Sequence, residues 1–84
     1  MSKADEIFKE LGYERQVDET KLAVYKNGKT TIEIGCASGG YPVVFAHRFN
    51  KTQGIIYAVG IRMEELQAIN EKCKEMGFIE QNNI

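Results

Sequence analysis

The residues best suited to covalent chemistry are a cysteine and a histidine on either side of a glycine-containing stretch, Cys36 and His47. A thiol and an imidazole can act as nucleophile and base, and glycine amides could hold an oxyanion. However, Cys36 continues the inward alternation of Ile32 and Ile34, and free cysteines are among the residues most often buried. Glu33 alternates to the other face, so the sequence places no carboxylate to orient the imidazole. We therefore interpret Cys36 as a core residue and predict that the chain is not an enzyme.

Metal and phosphate sites are also weakly indicated. His47 shares a predicted strand face with Val43, Phe45 and Phe49, where we expect it to make a single hydrogen bond. One histidine and two separated cysteines are too few ligands for a zinc site. The glycines of residues 35–40 match neither GxGxxG nor a P-loop, and no helix pattern follows them to hold a phosphate. The sequence therefore predicts no metal and no cofactor.

Length and composition indicate one small globular domain that spans residues 1–84. The chain is 43% hydrophobic and 27% charged and contains one proline, which argues against disorder. No apolar run approaches the roughly 20 residues that cross a bilayer, and the charged N-terminal segment lacks a signal-peptide core. These features predict a cytoplasmic protein without membrane contact, whose tail, residues 80–84, is frayed.

Charge is distributed unevenly, although the formal net charge is only -1. Residues 1–20 carry a net charge of -3 and residues 56–84 carry -2, whereas residues 21–55 carry +4. Because cations beside aromatic side chains on a sheet can bind single-stranded nucleic acid, this basic segment is a candidate binding surface. The alternative is that lysines at turns and edge strands only prevent aggregation. A pI near 5.8 is low for a nucleic-acid-binding domain and favours the alternative.

Two amphipathic helices are predicted, one near each end of the chain. Ser2 can cap the first helix, whose apolar face comprises Ala4, Ile7, Phe8 and Leu11. The second helix covers residues 61–78, and its predicted apolar face comprises Leu66, Ile69, Cys73 and Met76. The glutamates and lysines between these positions are interpreted as a solvated face. Both helices end in the pattern Lys-Glu-aliphatic-Gly-aromatic, in which glycine supplies the left-handed residue that ends many helices.

The segment between the helices is typical of strands joined by short turns. The predicted strands cover residues 13–17, 21–26, 30–36, 43–49 and 55–61. Leu22 and Val24 are assigned to the same apolar face as Ile32, and a loop of residues 26–28 with a left-handed Gly28 would keep them together. The predicted fold is α+β: an N-terminal helix, an antiparallel meander of four or five strands and a C-terminal helix, with both helices on one sheet face.

The second sheet face is a candidate for protein contact. Val44, Ala46, Ile56 and Ala58 would form an apolar patch there, and such patches often mark interfaces. The alternative is that the tail or a long loop covers them. We combine residues of this patch with residues of the basic segment into one candidate interaction surface. It comprises Tyr25, Lys26, Lys29, Val44, Arg48, Lys51 and Ile56.

Two stretches near the ends of the chain resemble a known group of proteins. Residues 4–14, ADEIFKELGYE, are similar to the "ADEMFEKLGYE" opening of small uncharacterised phage and prophage proteins of Gram-positive Firmicutes. Residues 63–78, MEELQAINEKCKEMGF, are similar to their closing "TMQELQAINEKCKELGW". Arg62 stands where that pattern usually has Thr, so the expected helix cap is missing or is supplied differently, and Phe78 stands where Trp is usual. The resemblance implies an origin in a mobile element and the helix–strands–helix order, but it transfers no functional residue.

Together these observations predict a small phage or prophage accessory protein that acts by protein contact and could self-associate through the open sheet face. Its partner would be a host or phage protein, or a second copy of the chain. A weak single-stranded nucleic-acid binder is the alternative, and a cysteine-dependent enzyme is the third hypothesis.

Overall fold

The computed structural model describes residues 2–79 and confirms the predicted α+β fold. In chain order the elements are α1 (Lys3–Glu10), β1 (Glu14–Glu19), β2 (Leu22–Asn27), β3 (Thr30–Cys36), β4 (Pro42–Asn50), β5 (Ile55–Ala58) and α2 (Met63–Glu75). The strands form one five-stranded antiparallel sheet in the order β1-β2-β3-β4-β5, and both helices pack on the same face of it. The expected frayed tail, residues 80–84, lies outside the described residues.

The helix ends follow the local physics that the sequence predicts. The Ser2 side chain accepts a hydrogen bond from the Asp5 amide at 3.0 Å and caps α1. At the end of α1, Tyr13 N–H donates to the Phe8 carbonyl and Gly12 N–H to the Lys9 carbonyl. Phe78 and Gly77 bond to the last turn of α2 in the same way, and both glycines have positive φ. The repeated pattern therefore produces the same Schellman motif twice.

Aromatic packing forms the centre of the core. Phe8 of α1 stacks on Tyr25 of β2 with ring centroids 3.8 Å apart, and it meets Tyr13 edge-on at 5.7 Å. Ile32 and Ile34 of β3 are fully buried beside them. Helix α2 and strand β2 complete the cluster with Ala23, Ala68, Ile69 and Cys73. The helix-covered face is therefore closed over β2 and β3, where the large side chains meet.

The β2–β3 hairpin differs from the predicted register. Asn27 pairs with Thr30, so the loop is the two-residue Gly28–Lys29, with Gly28 at φ 59°. A positive φ at the first loop position only is the pattern of a type II′ hairpin turn. Tyr25 consequently pairs with Ile32 on the core face. The prediction failed because both faces of β2 are apolar, and the face that packs is the one that places Tyr25 against Phe8.

Helix α2 is rotated relative to the predicted face. The buried positions of α2 are Glu65, Ala68, Ile69, Lys72 and Cys73, whereas Leu66 is 39% exposed. Met63 is also exposed, while Met76 packs against the core as predicted. The rotation brings a carboxylate and an ammonium inward, where other polar groups receive them.

Smaller differences concern the ends of the strands. Strand β1 begins one residue later than predicted and continues to Glu19, with a register shift between Arg15 and Val17. Tyr13, predicted as its first residue, instead belongs to the turn that ends α1 and is buried. Strand β5 ends at Ala58 instead of continuing to Ile61.

Candidate interaction surface

The sheet face opposite the helices carries a mixed apolar surface, which we call the open face. Its register is fixed by the pairing of Val24 with Glu33, Glu33 with Phe45, and Phe49 with Ile56, since cross-strand partners point to the same side. The open face comprises Leu22, Val24, Lys26, Thr31, Glu33, Gly35, Val43, Phe45, His47, Phe49, Ile56 and Ala58. Phe45 is 59% exposed, Phe49 46% and Ile56 67%. These three exposed side chains lie together on β4 and β5.

The predicted apolar patch is partly wrong. Val44 and Ala46 pair with Ile34 and Ile32 and pack against the core beneath the helices. A strand alternates with period two, and the sequence pattern of β4, apolar on both faces, did not show which set the helices would cover. Ile56, in contrast, lies on the open face and is exposed as predicted.

The remaining candidate residues do not form one surface. Tyr25 is 1% exposed, so it cannot contact a partner. Lys26 pairs with Thr31, which in turn pairs with His47, so Lys26 lies on the open face, whereas Arg48 pairs with Thr30 and lies on the helix side of the sheet. The structure therefore separates the predicted set into buried, open-face and helix-side residues, with Lys29 and Lys51 in the turns at one end of the sheet.

A glycine creates a depression in the open face. Gly35 pairs with Leu22 on one side and Val43 on the other. A Cβ at this position would lie 3.3 Å from the Leu22 side chain, so Leu22 leans over the glycine. Phe45 and Glu33 complete a shallow cavity of about 400 Å³. The depression can accept an apolar side chain from another molecule.

One polar pair interrupts this apolar surface. His47 Nε2 lies 3.0 Å from Glu33 Oε2 across β3 and β4. The single hydrogen bond expected of His47 is confirmed, and its partner is the carboxylate that the sequence placed on the face away from Cys36. The pair gives the open face a fixed polar group, which can select a partner by hydrogen bonding.

Cys36 and His47 do not form a nucleophile–base pair. His47 pairs with Thr31 at the other end of β3 from Cys36, which places the two residues roughly 16 Å apart along the strand. Their side chains also alternate to opposite faces. Cys36 is exposed, so its interpretation as a core residue is wrong: it is the last residue of β3, beyond the helix cover. Cys73 is the buried cysteine, and burial raises the pKa of its thiol.

Two buried polar clusters on the helix side were missed by the sequence analysis. Tyr13 donates to Glu65 at 2.6 Å, and Glu65 also accepts from the Arg62 backbone at 2.9 Å. This second bond is the glutamate half of a capping box, while the Arg62 side chain, which can only donate, makes no cap hydrogen bond to the first turn of α2. Burial raises the pKa of Glu65, but the hydrogen bonds from Tyr13 and Arg62 outweigh it and lower that pKa. Burial and the Glu65 bond raise the Tyr13 pKa above its ordinary value.

The second cluster joins α1, β1 and α2. Lys72 Nζ lies 2.9 Å from Asp18 and 4.0 Å from Asp5, and Tyr25 donates to Asp5 at 2.5 Å. Arg15 also binds Asp5. Burial raises the Asp5 pKa, but the Tyr25 bond and the two cations hold it below its ordinary value. Because these groups satisfy one another, we assign the cluster a structural role. The only sequence signal for it was charge at core-facing helical positions.

Comparisons of the chain with protein-family models, curated proteins and solved structures found no match. Within residues 2–79, His, Cys, Asp and Glu side chains nowhere form a group of three that could hold a metal ion. Neither helix in this part of the chain is long and apolar enough to span a membrane.

Proposed function

We propose that this chain is a small phage or prophage accessory protein that binds an apolar surface of a partner protein through its open face. Its action is occupancy of the partner surface, without bond chemistry. The resemblance at residues 4–14 and 63–78 supports the mobile-element origin. The open face supports the mode of action, because exposed apolar patches of this kind mark protein contacts.

The observation that carries the proposal is the exposure of Phe45, Phe49 and Ile56 on adjacent strands. Aromatic side chains are enriched among the residues that dominate protein interfaces. The Gly35 depression offers a pocket for an anchor side chain, and the Glu33–His47 pair offers a polar contact beside it. An apolar partner surface with one hydrogen-bonding group would match this arrangement.

The proposal is tested by comparing what two immobilised variants capture from a Firmicute host lysate. Phe45→Ser removes the central ring of the open face, so we expect at least a ten-fold loss of the proteins that the wild type retains, because truncating a central interface aromatic costs about 2 kcal/mol or more. Capture is measured by quantitative mass spectrometry.

Met63→Ser is the matched control. Met63 is 76% exposed on α2, away from the open face, so its removal deletes a comparable apolar side chain from another surface. We expect this variant to capture the wild-type set of proteins. Equal losses in both variants, or no loss with Phe45→Ser, would contradict the open face as the contact surface.

A weak single-stranded nucleic-acid contact is a second candidate, favoured by the position of the basic turns. The Phe49 amide donates to the Lys29 carbonyl, so the β2–β3 and β4–β5 turns adjoin at one end of the sheet. Lys29 and Lys51 therefore lie in adjoining turns, and the ring of Phe49, at the end of β4 next to them, is exposed. Cations next to exposed aromatics can hold a backbone and stack bases.

Binding of a labelled oligonucleotide at low and moderate salt tests this candidate. We expect weak binding whose logarithmic affinity falls with the logarithm of salt, with a slope near one per phosphate contact, reduced by about one in Lys51→Gln. Lys74→Gln on α2 is the control and should leave the slope unchanged. Absence of binding at low salt would end the nucleic-acid hypothesis.

A further inference from the structure

The two edges of the sheet differ sharply in their protection. Strand β1 has the sequence ERQVDE, with charged side chains along its length and a register shift between Arg15 and Val17. Charges and bulges on an edge strand prevent further pairing. Strand β5 has the sequence IIYA, without a charged residue, and all four side chains are exposed. An exposed, apolar and regular edge is a template for another strand.

The free hydrogen-bonding groups of the β5 edge can be assigned. Val59 N–H donates to the Ala46 carbonyl at 3.1 Å, and Tyr57 pairs with Arg48 in the same ladder. Residues of an antiparallel strand alternate in the direction of their N–H and C=O groups. Tyr57 therefore faces β4, like Val59, whereas Ile56 and Ala58 direct their backbone groups away from the sheet. These two residues form the edge that a partner strand would meet.

We propose that β5 pairs with β5 of a second copy of this chain, which joins the sheets of the two copies into one of ten strands. A two-fold axis perpendicular to the sheet makes the strands antiparallel and keeps the helices of both copies on the same face. Tyr57 lies on the axis opposite Tyr57 of the second copy. Ile56 then pairs with Ala58 of the second copy, and Ala58 pairs with Ile56 of the second copy. Both pairs are joined by the outward N–H and C=O groups of the two strands.

Two observations favour a second copy over another protein. Residues 55–61 contain no Asp, Glu, Lys or Arg. Two copies therefore meet at this edge without repulsion between like charges, whereas a charged partner strand would find no opposite charge for an ion pair. The register also matches a large side chain with a small one, Ile56 with Ala58. Assembly stops at two copies, because the outer edges of the joined sheet are the charged β1 strands. The association is consequently a closed dimer and not a fibre.

The dimer uses the β5 edge and goes beyond the open-face contact proposed above, so the two can be tested separately. Ala58→Pro removes an outward N–H while leaving the bonds to β4 intact. In analytical ultracentrifugation, we expect the wild type at twice the chain mass of 9.5 kDa and Ala58→Pro at the single-chain mass, a two-fold reduction. Circular dichroism establishes whether the variant is folded. A wild type that stays at 9.5 kDa at high concentration would overturn the dimer.

A disulfide trap tests the register in a chain that retains its β5 hydrogen bonds. Tyr57→Cys, in a Cys36→Ser background, places two thiols on the axis at a non-hydrogen-bonded pair, where Cα atoms about 4.5 Å apart suit a disulfide. We expect a linked dimer under mild oxidation. Gln16→Cys on the exposed β1 edge, in the same background, should remain largely unlinked.

The β5 pairing would be overturned if Tyr57→Cys and Gln16→Cys formed disulfide-linked dimers at the same rate. It would also be overturned if neither variant formed a linked dimer. The outcome is distinguishable from failure of the open-face proposal. Phe45→Ser should lower partner capture at least ten-fold and leave the dimer intact, whereas Ala58→Pro should give the single-chain mass and lower capture only by the avidity that the second copy contributes.

Discussion

Replacing Phe8 by Ala is expected to lower the free energy of unfolding by about 3–5 kcal/mol. The Phe8 ring is fully buried, stacked on Tyr25 and edge-on to Tyr13. The substitution removes two aromatic contacts and leaves a cavity. Neither tyrosine can move into the cavity, because its hydroxyl is hydrogen-bonded to a carboxylate. A domain of this size is stabilised by roughly 4–13 kcal/mol in total, so the substitution removes a large share of the stability. Chemical denaturation monitored by circular dichroism measures the change.

Phe45→Ala is the matched control, since it deletes the same side chain from the other face of the sheet. Phe45 is 59% exposed, so we expect its loss to change the unfolding free energy by less than about 1 kcal/mol. The comparison tests which face is the core independently of any partner. Equal destabilisation by the two substitutions would contradict the assignment of the open face.

Replacing Lys72 by Met is expected to destabilise the chain by about 2–4 kcal/mol at neutral pH. Lys72 is 4% exposed, and its ammonium is surrounded by Asp18, Glu75 and Asp5. Methionine can fill the space of the lysine's aliphatic stem. The carboxylates of Asp5, Asp18 and Glu75 then repel one another, and the Arg15 guanidinium offsets only part of that repulsion. Partial exposure of Asp18 lets water reduce this cost, which places the expectation below that for a fully buried ion pair.

The effect of Lys72→Met should depend on pH. Lys72 helps to hold the Asp5 pKa below its ordinary value of 3.8. A carboxylate whose pKa is lowered by folding stabilises the folded state above its ordinary pKa. This stability is lost as the pH falls through the folded-state pKa. Without Lys72 this contribution shrinks, so the stabilities of wild type and variant should converge at acidic pH. Denaturation midpoints measured from pH 7 to well below 3.8, through the folded-state pKa of Asp5, would show the convergence.

Lys74→Met is the control on the same helix. Lys74 makes a single partly exposed ion pair with Glu71 at 3.5 Å, and such pairs contribute little. We expect a change within about 0.5 kcal/mol that is insensitive to pH. Equal, pH-independent effects of the two lysine substitutions would show that the buried cluster does not stabilise the fold.

The open face and the β5 edge give this small domain two separate surfaces for association. Pairing at β5 would place two open faces side by side, so that a partner protein meets two copies of each anchor residue. Such a pair binds with higher avidity than a single copy if both contacts are reached together. Comparing capture by wild type and Ala58→Pro would measure that gain.

The resemblance to phage and prophage proteins covers α1 and α2, which form the helix layer and its Schellman ends. The open face and β5 lie between the two resembling stretches, in residues 22–58. The proposed contact surfaces are therefore separate from the two resembling stretches.

The sequence predicted the helices, their ends and the order of the strands, because those features depend on neighbours along the chain. Ser2 caps α1 through an amide three residues away, and Gly12 and Gly77 adopt the left-handed conformation that each helix end requires. These interactions are local, so residue type and spacing suffice to indicate them.

Only the tertiary structure decided which face of each element became the core. Strands β2 and β4 are apolar on both sides, and the face that packs is the one that best fills the space beneath the helices, with Tyr25 stacked on Phe8. The rotation of α2 has the same origin: Lys72 and Glu65 are buried because Asp18, Asp5 and Tyr13, distant in sequence, lie opposite them. Such choices depend on partners brought together by the fold, and no pattern along the chain contains them. The exposure of the open face and of the β5 edge, on which the proposed contacts depend, follows from those same choices.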